Sequence, residues 1–269
     1  MSLSLHDVCR HFGLLHPPFS RDVASAAIFF HHSFAEALAR VRLAIESKTP
    51  AVLTAEPGLG KSTLFAVLSD GLDKERARLV YTPLSACRPF GLIGQLAAHY
   101  GVRVRRTADQ TAKAIHDELA RSDKTEILVL DEAQLLPRIT LDELRLICNT
   151  DFDRTSPFTL LLAGQPPLRD RLAEPGLAAL AQRIAFRAQL APLSDRDTIE
   201  YVERRLRVAG SQTSLFRAQA SGKLFERSRG VPREINNLAT AALLAAASAG
   251  RKHVECSDVE TAIFEADHA

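Results

Sequence analysis

Residues 55–62 read Ala-Glu-Pro-Gly-Leu-Gly-Lys-Ser and follow a short apolar run, Ala51-Val-Leu-Thr54. The pattern is that of a phosphate-binding loop, GxxxxGK[ST], with Ala55 where the first glycine usually stands. Ala55 costs little there if its φ is negative. A strand entering such a loop and a helix leaving it point successive backbone N–H groups and the positive end of the helix at one phosphate. The expected nucleotide contacts are therefore Ala55, Glu56, Pro57, Gly58, Leu59, Gly60, Lys61, Ser62 and Thr63. Lys61 adds a positive charge for the β- and γ-phosphates, and the Ser62 hydroxyl is a ligand for Mg²⁺.

A second chemical signal is Ile127-Leu-Val-Leu-Asp131-Glu132, four apolar residues closed by two carboxylates. A charge directly after a buried strand sits at the carboxyl edge of a parallel sheet, which is the ligand side. Asp131 is expected to hold Mg²⁺ with Ser62, and Glu132 to orient and polarise an attacking water. Phosphoryl transfer to water needs positioning and charge stabilisation rather than covalent chemistry. Lys61, Glu132 and a further cation near the γ-phosphate meet that need.

The elements that must position these groups can be read from periodicity. Short apolar runs at 51–54, 79–82, 127–130, 158–163 and 185–190 predict five strands. Helical patterns fall at 33–47 with Ser33 as N-cap, then at 61–69, 90–100, 109–121, 141–148 and 167–182. Buried strands alternating with helices predict an α/β fold, a parallel five-stranded sheet sandwiched by helices. After Pro192 only helices follow, at 195–208, 216–228, 233–249 and 257–266. The expected division is an α/β core over 1–192, including a Pro- and His-containing lead-in, and a helical lid over 193–269.

Composition removes several classes. The chain has 269 residues, 46% hydrophobic and 25% charged, which excludes a disordered or fibrous chain. Its 34 Lys+Arg and 32 Asp+Glu leave a net charge of +2, so any nucleic-acid contact needs a local basic patch. Cys9, Cys87, Cys148 and Cys256 form no CxxC pair and read as reduced thiols. His6, Cys9, His11 and His16 fit no standard metal spacing. The longest apolar run, 241–247, is too short to span a bilayer, and the N-terminus is no signal peptide. A cytoplasmic protein without a membrane partner is the expectation.

With these motifs in place, the sequence resembles the AAA+ ATPases, a P-loop NTPase group. Within them it is similar to the ExeA-type secretion ATPases and to the transposition ATPases of the TniB, TnsC and MuB kind. The resemblance rests on Phe12-Gly13-Leu14 with Pro18-Phe19, on Ala163-Gly164-Gln165-Pro166-Pro167-Leu168-Arg169, on Leu180-Ala181-Gln182-Arg183-Ile184, and on Gly230-Val-Pro-Arg233 with Asn236 and Leu238. It implies that Gln165 stands near the sensor 1 position. It implies that Arg183 is an arginine finger for a neighbouring subunit's ATP, with Arg169 and Arg171 as alternatives, and that Arg233 reaches the phosphates from the lid. Arg183 also reads as a surface ion-pair partner, and Arg233 as a residue of its own helix start.

A finger supplied in trans implies a homo-oligomer, a ring or a helical filament, formed with ATP. ExeA-type proteins usually carry a membrane span and a peptidoglycan-binding region after the ATPase module, and the sequence ends at the lid. That favours the transposition branch: an ATPase that binds duplex DNA without strong sequence preference and passes a target site to a transposase. The basic stretch Arg103, Arg105 and Arg106, with Lys113 after it, is the candidate DNA contact. It reads equally as a solvated loop. A secretion or pilus-assembly ATPase, or another AAA+ switch acting on a protein partner, are the alternatives.

Overall fold

The computed structural model describes residues 3–20, 28–83, 89–147 and 158–268. Cys87 and Cys148 lie outside these residues. The described chain divides into two compact units, residues 33–190 and a second unit made of 1–32 with 191–269.

The first unit is the α/β core. Its strands are β1 (Ala51–Thr54), β2 (Ala77–Pro83), β3 (Thr125–Asp131), β4 (Thr159–Gly164) and β5 (Phe186–Gln189). All pair in parallel, in the order β2-β3-β4-β1-β5. The central strands β1, β3 and β4 are buried almost throughout. This is why they read as continuous apolar runs without alternation. Leu128, Leu130, Leu160 and Leu162 meet Leu92, Leu96, Ile115, Leu141 and Leu144 in one cluster. Those partners come from α4 (Pro89–His99), α5 (Ala108–Leu119) and α6 (Arg138–Ile147).

Two local details differ from the periodicity. The helix before β1, α2 (His32–Glu46), starts at His32, so Ser33 lies in its first turn rather than at its cap. The single helix expected over 167–182 is broken into α7 (Pro167–Leu172), a 3₁₀ turn at Pro175–Leu177 and α8 (Ala178–Arg183). Pro175 lacks the N–H that an uninterrupted helix would need there.

One buried carboxylate fixes the amino edge of the sheet. Glu126, the second residue of β3, is 3% exposed. It accepts three hydrogen bonds of 2.7–3.0 Å from the Arg78 guanidinium on β2. Ser122 Oγ and the Tyr100 hydroxyl also donate to it, at 3.2 and 3.4 Å. Arg78 lies over the Tyr100 ring, 4.9 Å from its centroid. Tyr100 follows directly after α4, so this cluster ties the end of that helix to the starts of β2 and β3.

The second unit is helical: α1 (Leu5–Phe12), α9 (Asp195–Val208), α10 (Ala218–Ser228), α11 (Pro232–Ser248) and α12 (Cys256–His268). Residues 1–32, attached by sequence order to the core, are grouped by the structure with this unit instead. The physical reason is burial. Val8, Leu14 and Phe19 join Tyr201, Leu206, Phe216, Leu238 and Leu243 in one core. The Phe12-Gly13-Leu14 and Pro18-Phe19 segments are therefore packing motifs. Ser4 and Asp7 form a capping box at the start of α1, and Gly13, with φ 67°, closes its end.

Arg205 of α9 anchors the lead-in. It is 3% exposed, and its guanidinium donates to the Pro18 and Ser20 carbonyls at 2.7 and 2.8 Å. An Arg205→Ala substitution removes a buried cation's hydrogen bonds and leaves two carbonyls without that donor. Equilibrium urea unfolding is expected to show a loss of about 3 kcal/mol. A loss under about 0.5 kcal/mol would mean the lead-in is held by its apolar residues alone.

Among the described residues, no helix is long and apolar enough to cross a membrane.

Candidate functional site

The phosphate loop runs from β1 into α3 (Lys61–Asp70). Gly58 and Gly60 have φ of 86° and 101°, which side-chain-bearing residues rarely adopt, and this explains why both are glycine. Ala55 is not among the described non-glycine residues with positive φ, and its side chain is buried. The alanine in place of the usual glycine is thus accommodated without strain. Leu59 is 2% exposed and pins the loop to the core, while Glu56 and Pro57 are exposed.

Lys61 is 8% exposed, and its Nζ donates to the Ala55 carbonyl at 2.9 Å. The ammonium is therefore folded back over the loop whose N–H groups would meet a phosphate. Ser62 is exposed at the first turn of α3, and Thr63 beside it is half-buried.

The carboxylates stand where the strand pattern places them. Asp131 is the last residue of β3, 6% exposed, and Glu132 follows it. Asp131 Oδ1 accepts from the Glu132 backbone N–H at 2.8 Å, and Oδ2 accepts from the Tyr81 hydroxyl. The Ser62 side chain lies close to that phenol. Burial first, then the hydrogen bond to Asp131, push the Tyr81 phenol up to about 12, so it remains a protonated donor at neutral pH. Ser62 and Asp131 are thereby both placed beside Tyr81. A hydroxyl and a carboxylate are hard-oxygen donors of the kind that Mg²⁺ takes, and the site fits that ion.

Glu132 has φ 53°, an uncommon value for a non-glycine residue. Its side chain is held by two amides: Gln134 Nε2 and Gln165 Nε2 donate to Oε2 at 2.7 and 3.3 Å. Gln134 Oε1 in turn accepts from the Gln165 backbone N–H at 3.0 Å. A Cβ on Gly164 would lie 2.4 Å from that Oε1, which explains a glycine at this point of the Ala163–Arg169 segment. Gln165 is thus brought to Glu132.

The arginines fare differently. Arg169 Nη1 donates to Gln189 Oε1 at 2.9 Å, and Arg171 donates to the Gln134 carbonyl. Both alternatives to Arg183 are tied within the core. Arg183 is half-buried at the end of α8, between the buried Leu180 and Ile184. Arg233 is exposed in the first turn of α11, in the helical unit. In the same segment Asn236 Oδ1 accepts from the Tyr201 hydroxyl at 2.8 Å, and Leu238 is buried.

Arg103, Arg105 and Arg106 are exposed in the connection between α4 and α5, and Lys113 is exposed on α5. The connection is ordered by the Thr111 hydroxyl, which accepts from the Arg105 N–H at 2.9 Å, and by Thr107 capping α5. Because Tyr100 is fastened to Arg78 and Glu126, this basic loop departs from the amino edge of the sheet. The phosphate loop and Asp131 lie at the carboxyl edge.

Sequence reasoning missed Tyr81 and Gln134. Tyr81 pairs in register with Val129, and Pro83 with Asp131, so Tyr81 and Asp131 are diagonal neighbours on one face. Only the register reveals this. Gln134, two residues after Glu132, carried a signal in the Asp-Glu-Ala-Gln run itself.

The parallel five-stranded sheet flanked by helices, with the phosphate loop after β1, is the fold of a P-loop NTPase. Residues 44–172 match the family described as AAA domain. The chain is 33% identical over 261 residues to General secretion pathway protein A of Aeromonas hydrophila, covering 94% of the chain and 47% of that protein. The chain thus spans about half the length of this curated relative.

Solved structures show the same fold at low identity. Cdc6p from Pyrobaculum aerophilum superposes with a TM-score of 0.71 at 17% identity, covering 92% of this chain and 70% of that one. The Aeropyrum pernix ORC1 protein, in complex with DNA, gives 0.66 at 16% identity over 92% and 68%. The Thermotoga maritima RuvB Holliday junction branch migration motor gives 0.59 at 18% over 86% and 68%.

Proposed function

We propose that the chain binds and hydrolyses ATP with Mg²⁺ and works as an ATP-controlled switch that oligomerises with ATP and binds duplex DNA. The observation that carries the ATPase reading is the set at the carboxyl edge: the Lys61 loop with Ser62 after it, Asp131 at the end of β3, and Glu132 held beside it by Gln165. The P-loop and helix start would hold the phosphates by backbone N–H groups and by Lys61. Mg²⁺, when bound by Ser62 and Asp131, would neutralise charge on the phosphate oxygens. Glu132 would take the proton of the attacking water, with Gln165 fixing its orientation. Arg183 of a neighbouring copy and Arg233 of the same chain are assigned the remaining cationic roles, which makes the site complete only in an oligomer.

The DNA reading is supported by the exposed arginine loop and by the likeness in fold to the Aeropyrum pernix ORC1 protein, whose structure is in complex with DNA. Arginines in an open loop meet phosphates and give binding without strong sequence preference. Within this class we read the protein as a cytoplasmic transposition regulator that hands target DNA to a transposase. A second reading, a secretion or pilus-assembly ATPase module, is favoured by the similarity to General secretion pathway protein A.

Anisotropy of labelled duplex DNA, with and without a non-hydrolysable ATP analogue, separates the two. On the DNA reading, binding is ATP-dependent, and its slope of log K against log salt falls by about 1 for each of Arg103, Arg105 and Arg106 changed to Ala. Nucleotide affinity should stay unchanged, because the loop leaves the opposite edge of the sheet. No binding in any nucleotide state would leave the secretion reading standing.

A further inference from the structure

The catalytic reading above gives Tyr81 no role, yet its hydroxyl engages Asp131, a side chain assigned to the metal. Asp131 has two carboxylate oxygens, and each already has a donor from the protein: Glu132 N–H at Oδ1 and Tyr81 at Oδ2. A hydrated cation approaching Asp131 must share an oxygen with one of them or displace it, and a donor on the same oxygen crowds the cation. The Glu132 N–H belongs to the backbone turn that places the carboxylates, so it stays. Tyr81 is a side chain on β2, an edge strand, and is 40% exposed. Its ring packs against Phe65, centroids 6.1 Å apart, and has solvent to move into.

We propose that Tyr81 is a latch on the magnesium position: with no nucleotide bound, its hydroxyl is bonded to Asp131 Oδ2, and binding of the magnesium-nucleotide complex requires it to release that oxygen. The latch rests on the nucleotide reading above. It lowers the affinity for the metal while leaving contacts to the phosphates unchanged, because neither Lys61 nor the loop glycines touch it in the hydrogen-bond pattern described. It also gives the nearly buried Asp131 a donor at Oδ2 while no cation is present, beside the Glu132 N–H at Oδ1.

The test uses Tyr81→Phe, which keeps the ring against Phe65 and removes only the hydroxyl. ADP affinity is measured in EDTA, and Mg²⁺ is then titrated into the ADP-bound protein by calorimetry. Expected is an unchanged ADP affinity in EDTA and a Mg²⁺ midpoint about tenfold lower than in the wild type, the size of one hydrogen bond to a charged group. A second readout is independent of affinity. The chain has no Trp and three Tyr, so tyrosine emission is directly visible. A phenol bonded to a carboxylate is quenched, so Mg²⁺ should brighten ADP-loaded wild type and leave Tyr81→Phe unchanged.

A midpoint equal to or higher than that of the wild type, or an equal emission change in both proteins, overturns the latch. If wild type binds ADP and Mg²⁺ normally, that result leaves the nucleotide reading intact. Failure of wild type to bind ADP, or indifference of its binding to Mg²⁺, overturns both.

Discussion

A Lys61→Ala variant is expected to lose at least about a hundredfold in ATP affinity, measured by titration of a fluorescent nucleotide. The argument starts from the position of the ammonium. It is nearly buried and already bonded to the Ala55 carbonyl, so it is held above the loop without the entropy cost an exposed lysine pays. Charge-assisted hydrogen bonds contribute roughly 1.5–3 kcal/mol each, and contacts to two phosphates account for the expected loss. The fold should be little affected, since α3 is fixed to the core by Leu64, Phe65 and Leu68. An affinity within threefold of wild type would remove the 55–62 loop from the site.

Much of this arrangement was legible in the sequence, for reasons that differ by residue. The phosphate loop is contiguous, and its glycines and Lys61 act through backbone geometry set within eight residues. Asp131 and Glu132 were readable because a buried apolar strand followed by charge has one place to end. The central strands β1, β3 and β4 were readable because both faces of the sheet are covered there, so their runs are almost wholly apolar.

The lead-in was harder. Leu14 and Phe19 are ordinary apolar residues, and nothing local says that their partners are Leu206 and Phe216, almost two hundred positions away. Tyr81 was invisible for a related reason. Its contact to Asp131 depends on the register between β2 and β3, which neither strand carries alone. The two-residue step from Glu132 to Gln134 could have been noticed, but its meaning needs the φ of 53° at Glu132 that turns the chain back on itself.

That turn bears on the second large effect, expected for Glu132→Gln. ATP turnover should fall about a thousandfold, read as phosphate release in a single-turnover assay, while nucleotide affinity stays within threefold. The amide has the shape of the carboxylate, and its oxygen can still accept from Gln134 Nε2 and Gln165 Nε2, so the local structure has no reason to move. It cannot take a proton from water, and that is the function assigned to Glu132. The two variants should therefore fail in opposite ways: Lys61→Ala by not loading nucleotide, Glu132→Gln by loading ATP and keeping it. If oligomers and DNA complexes depend on bound ATP, Glu132→Gln should make both persist where wild type lets them decay. Turnover equal to wild type would show that another group activates the water, and the strained turn at Glu132 would then need a different explanation.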